Sequence, residues 1–448
     1  MTREEARGIL DRVLAAAGGE EIEVSLGGGR SALTRFANNE VTQNVAERRY
    51  QLSVRVVRGR RTGRATGNDL SSKGIERLVR RAADAASLQP EIADLLPLPG
   101  PQTYRAVDAT DPATAALGPE ERLTEARRAV ERCRAAGLEG AGIYESGEGT
   151  IGDYGEIGAL AVANSRGLFA YHSRTTATFR VSALFGTAGG WASRESHRAA
   201  DVDGAGLADR AVEKALRSRN PKAWEPGPYT VVLEPAALAD LLQDMAWYSF
   251  GALLVQEGRS FLAGKMGQRV MGGNITIRDD PFHPLHLGSP FDAEGMPTRP
   301  VAIIEGGVAR SPVYDRQTAA KEGRETTGHA LPVPNTYGPI ARHLVLDGGT
   351  ESPEDLVAGV ARGLLVTRVW YTNLVDPATV TLTGMTRDGL FAIENGQLTH
   401  AVRNFRFNQS VVELLNQVEA LGAPELVNGV VCPAVRAHGF HMSSPTEF

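Results

Sequence analysis

The sequence predicts an α+β protein in two parts: an N-terminal domain built on a duplicated helix–strand–helix unit, then a β-rich C-terminal domain with covering helices. Three observations carry this. Apolar residues at helical three-to-four spacing open two similar stretches, residues 2–17 and 119–137. Each is followed by long alternating segments, suited to a sheet with one buried and one wet face. Beyond a proline cluster at residues 219–228 the texture turns to short strands and glycine turns, which places a boundary near 220. The 448 residues fit two or three domains at about 150 residues each.

The first copy spans about residues 1–90. Its helix at 2–17 leads to a strand pair around Ala37-Asn38-Asn39, a long strand from Arg49 to Val57, and a helix at 71–87. The second copy, about 118–218, repeats the order: helix 119–137, a strand pair around Ala163-Asn164-Ser165, a strand from Ala177 to Leu184, and a helix at 204–218. The glycines between Phe185 and Trp191 read as a hairpin turn. Corresponding points lie about 125 residues apart, and both element order and turn chemistry agree with duplication, against a coincidence of generic segments. The Pro- and Ala-rich stretch 95–119 reads as a surface crossover between the copies.

In the C-terminal domain, residues 221–448, Tyr229 to Leu233 is a compact strand, and Glu234-Pro235 opens a helix running to about Gly251. Strands dominate from Asn274, with one helix expected near 352–363. Asp388-Gly389 and Asn395-Gly396 are hairpin signals on either side of Leu390 to Glu394. A last helix near 409–420 and a strand at 427–438 complete the expectation.

Composition excludes several classes. Net charge is −5, from 48 basic and 53 acidic residues, which is not the basic footprint of a nucleic-acid binder. The N-terminal helix lacks the features of a signal peptide, and no apolar run reaches the roughly 18 residues of a membrane span. Two cysteines, Cys133 and Cys432, give no disulfide framework, so the expected compartment is the cytoplasm. Neither a Walker A loop, nor a G-x-G-x-x-G that opens a helix, nor a G-x-S-x-G elbow occurs.

Two stretches carry a family resemblance: residues 322–330, Glu-Gly-Arg-Glu-Thr-Thr-Gly-His-Ala, and residues 363–410. With Ser289-Pro290-Phe291-Asp292-Ala293-Glu294-Gly295, they make the chain resemble the TldD/PmbA family, often labelled modulator of DNA gyrase. The resemblance implies paired subunits that enclose a cavity and cleave unfolded or extended peptides. One subunit carries a His-Glu zinc motif; the other, PmbA/TldE-like, lacks it. This chain resembles the second. An ungapped comparison puts Gln256 at the first ligand position and Phe261 near the second, with Glu257 surviving as a carboxylate without a metal-bound water. Cys432 lies in a strand-like Val431-Cys432-Pro433-Ala434, not in a ligand loop. The implied picture is a chain with no metal of its own and zinc in a TldD-like, zinc-bearing paralogue.

Other residues are weighed for ligand contact. His283 and His286 flank Pro284, which disfavours a shared helical face, so a loop or substrate-contact role fits better than a metal. Cys432, His438 and His441 are close in sequence, but a strand points the two imidazoles to opposite faces. His329 either meets a bound peptide or orders its loop through a backbone carbonyl. Arg387 either reaches a carboxylate across a cavity or belongs to a turn with Asp388-Gly389. Asn373 either pairs with peptide backbone or follows two aromatics, Trp370 and Tyr371, packed in a core. The reading favoured is a non-metal-binding subunit of a cytosolic metallopeptidase complex that helps form the substrate cavity. The alternatives are a self-sufficient peptidase on the same scaffold and a non-catalytic peptide-binding regulator.

Overall fold

The computed structural model describes residues 1–150 and 159–446. Its N-terminal elements are α1 (Arg3–Ala16), β1 (Glu21–Ala37), β2 (Glu40–Arg58), β3 (Arg61–Gly67), α2 (Ser72–Leu88) and a short α3 (Pro112–Ala115). There follow α4 (Pro119–Ala135), β4 (Glu139–Gly149), β5 (Ala159–Asn164), β6 (Phe169–Tyr171), β7 (Arg174–Phe185), β8 (Ala188–Ser196) and α5 (Gly204–Arg217). Local chemistry starts each long helix. Thr2 and Glu5 form a reciprocal capping box, Ser71 and Asp203 accept backbone N–H groups at their caps, and Pro119 opens α4 where no donor is needed.

The strands form one antiparallel sheet in the order β3-β2-β1-β4-β7-β8, with β5 and β6 branching from β1. The duplication is visible in this order: β1–β2–β3 and β4–β7–β8 are equivalent runs that meet along the β1–β4 pair. α2 packs on β3 and β2, as α5 packs on β8 and β7. Alternation decides which residues face these helices: Leu52, Val54 and Val56 in one copy, Ala177, Phe179, Val181 and Ala183 in the other, are all buried. Each large side chain removed from water in this way stabilises the domain by about 1.5–3 kcal/mol.

β1 pairs with β2 along its length, yet its other edge serves β5 up to Gly27 and β4 from Gly29 onward. The change of partner occurs at Gly28, at φ +115°, where an added Cβ would stand 2.1 Å from the Arg49 carbonyl oxygen. Only glycine tolerates both the angle and the approach.

The C-terminal elements begin with β9 (Gly227–Leu233), α6 (Pro235–Ser249), α7 (Ala252–Gln256), β10 (Ile277–Asp279), β11 (Val301–Glu305), β12 (Val308–Ala309), α8 (Arg316–Lys321), β13 (Leu344–Leu346) and α9 (Pro353–Ala358). They end with β14 (Arg362–Asp376), β15 (Thr381–Glu394), β16 (Gln397–Ala401), β17 (Phe405–Ser410), α10 (Val411–Asn416), β18 (Val418–Val427) and β19 (Val430–Pro445). The second sheet runs β12-β11-β10-β13-β19-β17-β15-β14-β9, and β19 also pairs with β9. The strands β9, β14, β15, β17 and β19 therefore close on themselves as a barrel. β9 lies parallel to β14 on one side and antiparallel to β19 on the other. α6, buried over most of its surface, packs on β14 and β19 and anchors the largest apolar cluster of the chain.

Four local expectations change. Asp388-Gly389 is not a hairpin turn but a bulge inside β15, with both residues opposite Thr367. The same left-handed angles that suit Asp-Gly to a turn (φ +55° and +129°) here let two residues oppose one. The hairpin expected at Asn395-Gly396 is present, joining β15 to β16. The helix expected at 409–420 spans only Val411–Asn416, because Val418 onward pairs with β19. The strand expected at 427–438 is interrupted by an Asn428-Gly429 turn between β18 and β19, again with positive φ at both residues. The helix expected at 352–363 stops at Ala358, since β14 begins at Arg362.

Candidate functional site

The stretch that aligns with a zinc motif is organised for packing. α7 ends at Gln256 and Gly258 takes φ +70°, so residues 256 and 261 do not share a helix face. Gln256 Nε2 donates to the Thr318 carbonyl and to Glu322 Oε1, both at 2.9 Å. Glu257 is exposed and paired with Arg259 at 2.8 Å. Phe261 is buried in the C-terminal core beside Phe250, with ring centroids 6.4 Å apart. An amide already committed to two acceptors, an exposed ion-paired carboxylate and a core phenyl do not make a zinc ligand set, which needs neutral imidazole, thiolate or free carboxylate donors on one side. Cys432 does not supply one either: it lies on β19, and full burial raises its thiol well above the usual range, away from the thiolate a metal requires.

His329 lies in a different, buried cluster. It is 2% exposed, with Nδ1 2.9 Å from Thr327 Oγ1 and Nε2 2.9 Å from Asp279 Oδ1. Asp279, at the end of β10, is fully buried, accepts the His343 backbone N–H at 2.8 Å, and has His343 Nδ1 3.6 Å from Oδ1. Burial alone would raise the Asp279 carboxyl, but the facing imidazoles outweigh it and hold the group well below the usual carboxylate range. His343 is lowered by burial, only partly opposed by Asp279. His286 touches His343 edge-on, has Nε2 2.9 Å from the Leu344 carbonyl, and is pushed by burial to about 3. The arrangement ties β10, the 326–330 loop and the segment before β13 to one carboxylate. His283 is half-buried, and its Nδ1 accepts the Leu285 N–H within its own turn. The cluster is thus placed away from solvent, and His329 orders its loop here.

Arg387 is placed elsewhere, in a cavity of about 890 Å³ at the junction of the two domains. One wall is the β7–β8 turn and the start of β8; the other is residues 385–390 of β15 with 401–404. The domains meet firmly here: Trp191 of β8 joins the C-terminal core, and Lys214 Nζ lies 2.6 Å from Glu234 Oε2. The β15 bulge shapes the site. Asp388 is buried, with Oδ2 3.4 Å from Arg368 Nε and 3.7 Å from Arg387 Nε. Arg368 lies over the Trp191 ring at 4.7 Å, and Arg387 over Trp370 at 4.2 Å. Each guanidinium is held against an aromatic face by a cation–π contact. Such a cavity, with apolar wall beside charged and polar groups, suits a small or peptide ligand.

Trp370 and Tyr371 are not core residues as expected: they are 46% and 69% exposed, because Tyr371 takes φ +58° and the β14 register slips between Trp370 and Asn373. Asn373 is exposed, with Nδ2 bonded to the Tyr371 carbonyl at 3.0 Å, and does not line the cavity. Of the candidate peptide-contact residues His283, His329, Asn373 and Arg387, Arg387 alone is in this site. Trp370, Asp388 and Arg403 join it there, and no local pattern marks them as a set.

Family models describing the PmbA/TldA metallopeptidase match three consecutive stretches: domain 1 at residues 22–86, the central domain at 115–219 and the C-terminal domain at 226–444. An uncharacterized protein of Methanocaldococcus jannaschii is 34% identical over 39% of this chain and 42% of its own length. The chain spans about half the length of the first curated relatives it matches. Metalloprotease PmbA of Escherichia coli O157:H7 is 24% identical over 90% of this chain and 87% of its own. Among solved structures, TldE from Thermococcus kodakarensis superimposes with a TM-score of 0.86 at 22% identity, covering 97% of this chain and all of that one (100%), which is a likeness of fold.

Proposed function

The chain belongs to the PmbA/TldD metallopeptidase family, and on that premise we propose that it is the peptide-handling, metal-free member of a two-subunit peptidase. A TldD-like paralogue would hold the zinc and activate the water; this chain contributes walls, binding energy and gating for unfolded or extended peptides. The proposed compartment is the cytoplasm; among the described residues no helix is long and apolar enough to cross a membrane.

The observation that carries the reading is what occupies the motif position. Gln256 is bonded to Thr318 and Glu322, and Phe261 is core, so neither ligand position is held in reserve. The second support is the junction cavity, whose apolar walls and guanidinium groups suit a peptide segment.

The test is zinc content by elemental mass spectrometry after mild chelation, paired with hydrolysis of denatured casein by the chain alone and with its zinc-bearing paralogue. The expected result is a zinc ratio near zero, no turnover alone, and turnover by the pair that exceeds the paralogue's own. A ratio near one with turnover by the isolated chain would overturn the proposal in favour of a self-sufficient peptidase. Peptide affinity without turnover in any combination would favour a regulatory binder.

A further inference from the structure

We infer that the junction cavity receives the C-terminal end of an extended peptide, with its terminal carboxylate held between Arg387 and Arg403. The inference rests on the peptide-handling reading above and narrows it to a part of the substrate. Three features of the cavity lead to it.

The first is an interruption in the sheet. β15 pairs with β17 up to Met385 and with β16 from Phe391 on, and the segment joining those two strands bonds the Leu390 carbonyl through the Val402 N–H and Thr386 Oγ1 through the Phe405 N–H, so among the described residues only 387–389 are left without a ladder partner on that side. That stretch of backbone faces the cavity, and across it stands the start of β8, the outermost strand of the N-terminal sheet. An extended peptide can lay its own N–H and C=O groups along such an edge. The interruption is short and the ladder resumes at both ends. A continuous chain cannot run through it as a strand, whereas a chain end can stop in it.

The second is charge. Among the described residues, the charged side chains lining the cavity are Arg387, Asp388 and Arg403. The Asp388 carboxylate is already shared between Arg368 and Arg387, and among the described residues Arg403 makes no ion pair, which leaves guanidinium in excess. Arg387 is held over the Trp370 ring, so less side-chain freedom is lost when it meets a ligand. A planar carboxylate accepts two parallel bonds from such an edge.

The third is size and lining. About 890 Å³ is far more than a small inorganic anion fills, and Leu184, Met385 and Val402 give apolar wall for the last side chains of a peptide.

The experiment uses the full chain and fluorescence anisotropy. The probe is a short extended peptide of Ala, Val and Ser, labelled with fluorescein at its N-terminus and made both as the free acid and as the C-terminal amide. The free acid is expected to bind at least about tenfold tighter, the scale of one charge-assisted bidentate contact. Arg387→Gln and Arg403→Gln should each abolish the preference, so that free acid and amide bind the variant with the same affinity. Arg387→Lys, which keeps charge and loses the fork, should restore only part of it. Thermal melts of each variant confirm that loss of preference is not loss of fold. Equal binding of acid and amide would overturn the terminus inference and leave peptide handling standing. Failure of either form to bind would overturn both. A preference that survives both substitutions places the carboxylate elsewhere and also overturns the inference. So does inorganic phosphate that competes at concentrations comparable to the peptide, since the cavity would then be reading anions in general.

Discussion

Glu294 offers a test of the interior with a definite sign. It sits in the 292–295 loop, 9% exposed, with Arg316 as its nearest cation at 3.8 Å. Asp292, two residues earlier, is fully buried but accepts the N–H groups of Glu294, Met296 and Ala330, each at 2.9 Å. Burial and then the Asp292 charge push the Glu294 carboxyl up from 4.5 to about 8, with Glu23 adding to the rise and Arg316 and Arg55 opposing it. Asp292, raised by burial to about 6, has the backbone donors that favour its ionised form, so Glu294 carries the proton that the pair shares near neutrality. Between pH 4.5 and about 8 the folded chain then binds more protons than the unfolded one. Stability is greatest below that window and falls as pH rises through it. At ~1.4 kcal/mol per pH unit the full swing is on the order of 5 kcal/mol. Glu294→Gln mimics the protonated side chain. Urea melts followed by tryptophan fluorescence should find it within about 1 kcal/mol of the parent at pH 5, and more stable by about 2–4 kcal/mol at pH 8.5. If the difference between variant and parent is flat across that range, or the variant is the weaker at pH 8.5, the account of Glu294 is wrong.

Two more substitutions probe the elements that shape the sites. Asp279→Asn leaves His329 and His343 facing a neutral amide, and should cost about 3 kcal/mol in urea melts at pH 7. It should also flatten the parent's loss of stability below pH 3.8, because a lowered carboxyl contributes only while it is ionised. Gly389→Ala puts a Cβ 2.7 Å from Thr367 Oγ1 at φ +129°, so a loss of about 2–4 kcal/mol is expected by denaturant midpoint. The comparison is Gly429→Ala, at φ +74° with nothing within 4 Å, which should cost only about 1 kcal/mol.

The N-terminal domain was legible because its signals are local. The spacing that buries Ala6, Leu10 and Val13, and the Ser71 and Asp203 caps, act within a few residues, and the repeat doubles each signal. Asp388-Gly389 and Asn395-Gly396 show where local chemistry runs out. Both pairs accept positive φ, and only the neighbouring strands decide that one is a bulge and the other a turn. Trp370 and Tyr371 looked like core because size and apolarity are all a sequence displays, whereas their exposure follows from a register slip in β14. The cavity was least legible of all. Arg387 could be suspected, but its walls come from residues near 187, 388 and 403, which nothing in the chain's order associates. His329 belongs with Asp279 and His343 for the same reason: the carboxylate that explains it lies about fifty residues upstream, a contact made by tertiary folding.

The barrel closure sets a timetable for synthesis. β9 is among the first C-terminal elements to leave the ribosome, but one of its two neighbours, β19, follows roughly 200 residues later. At about 5–20 residues per second the wait is on the order of 10–40 s. Through that interval the nascent chain carries the bare edge of β9 and the greasy surface of α6 without their final cover. The N-terminal sheet is complete by then and can fold behind it. Until translation reaches residue 440 or so, one strand edge and one apolar helix therefore stay without the cover that the finished barrel gives them.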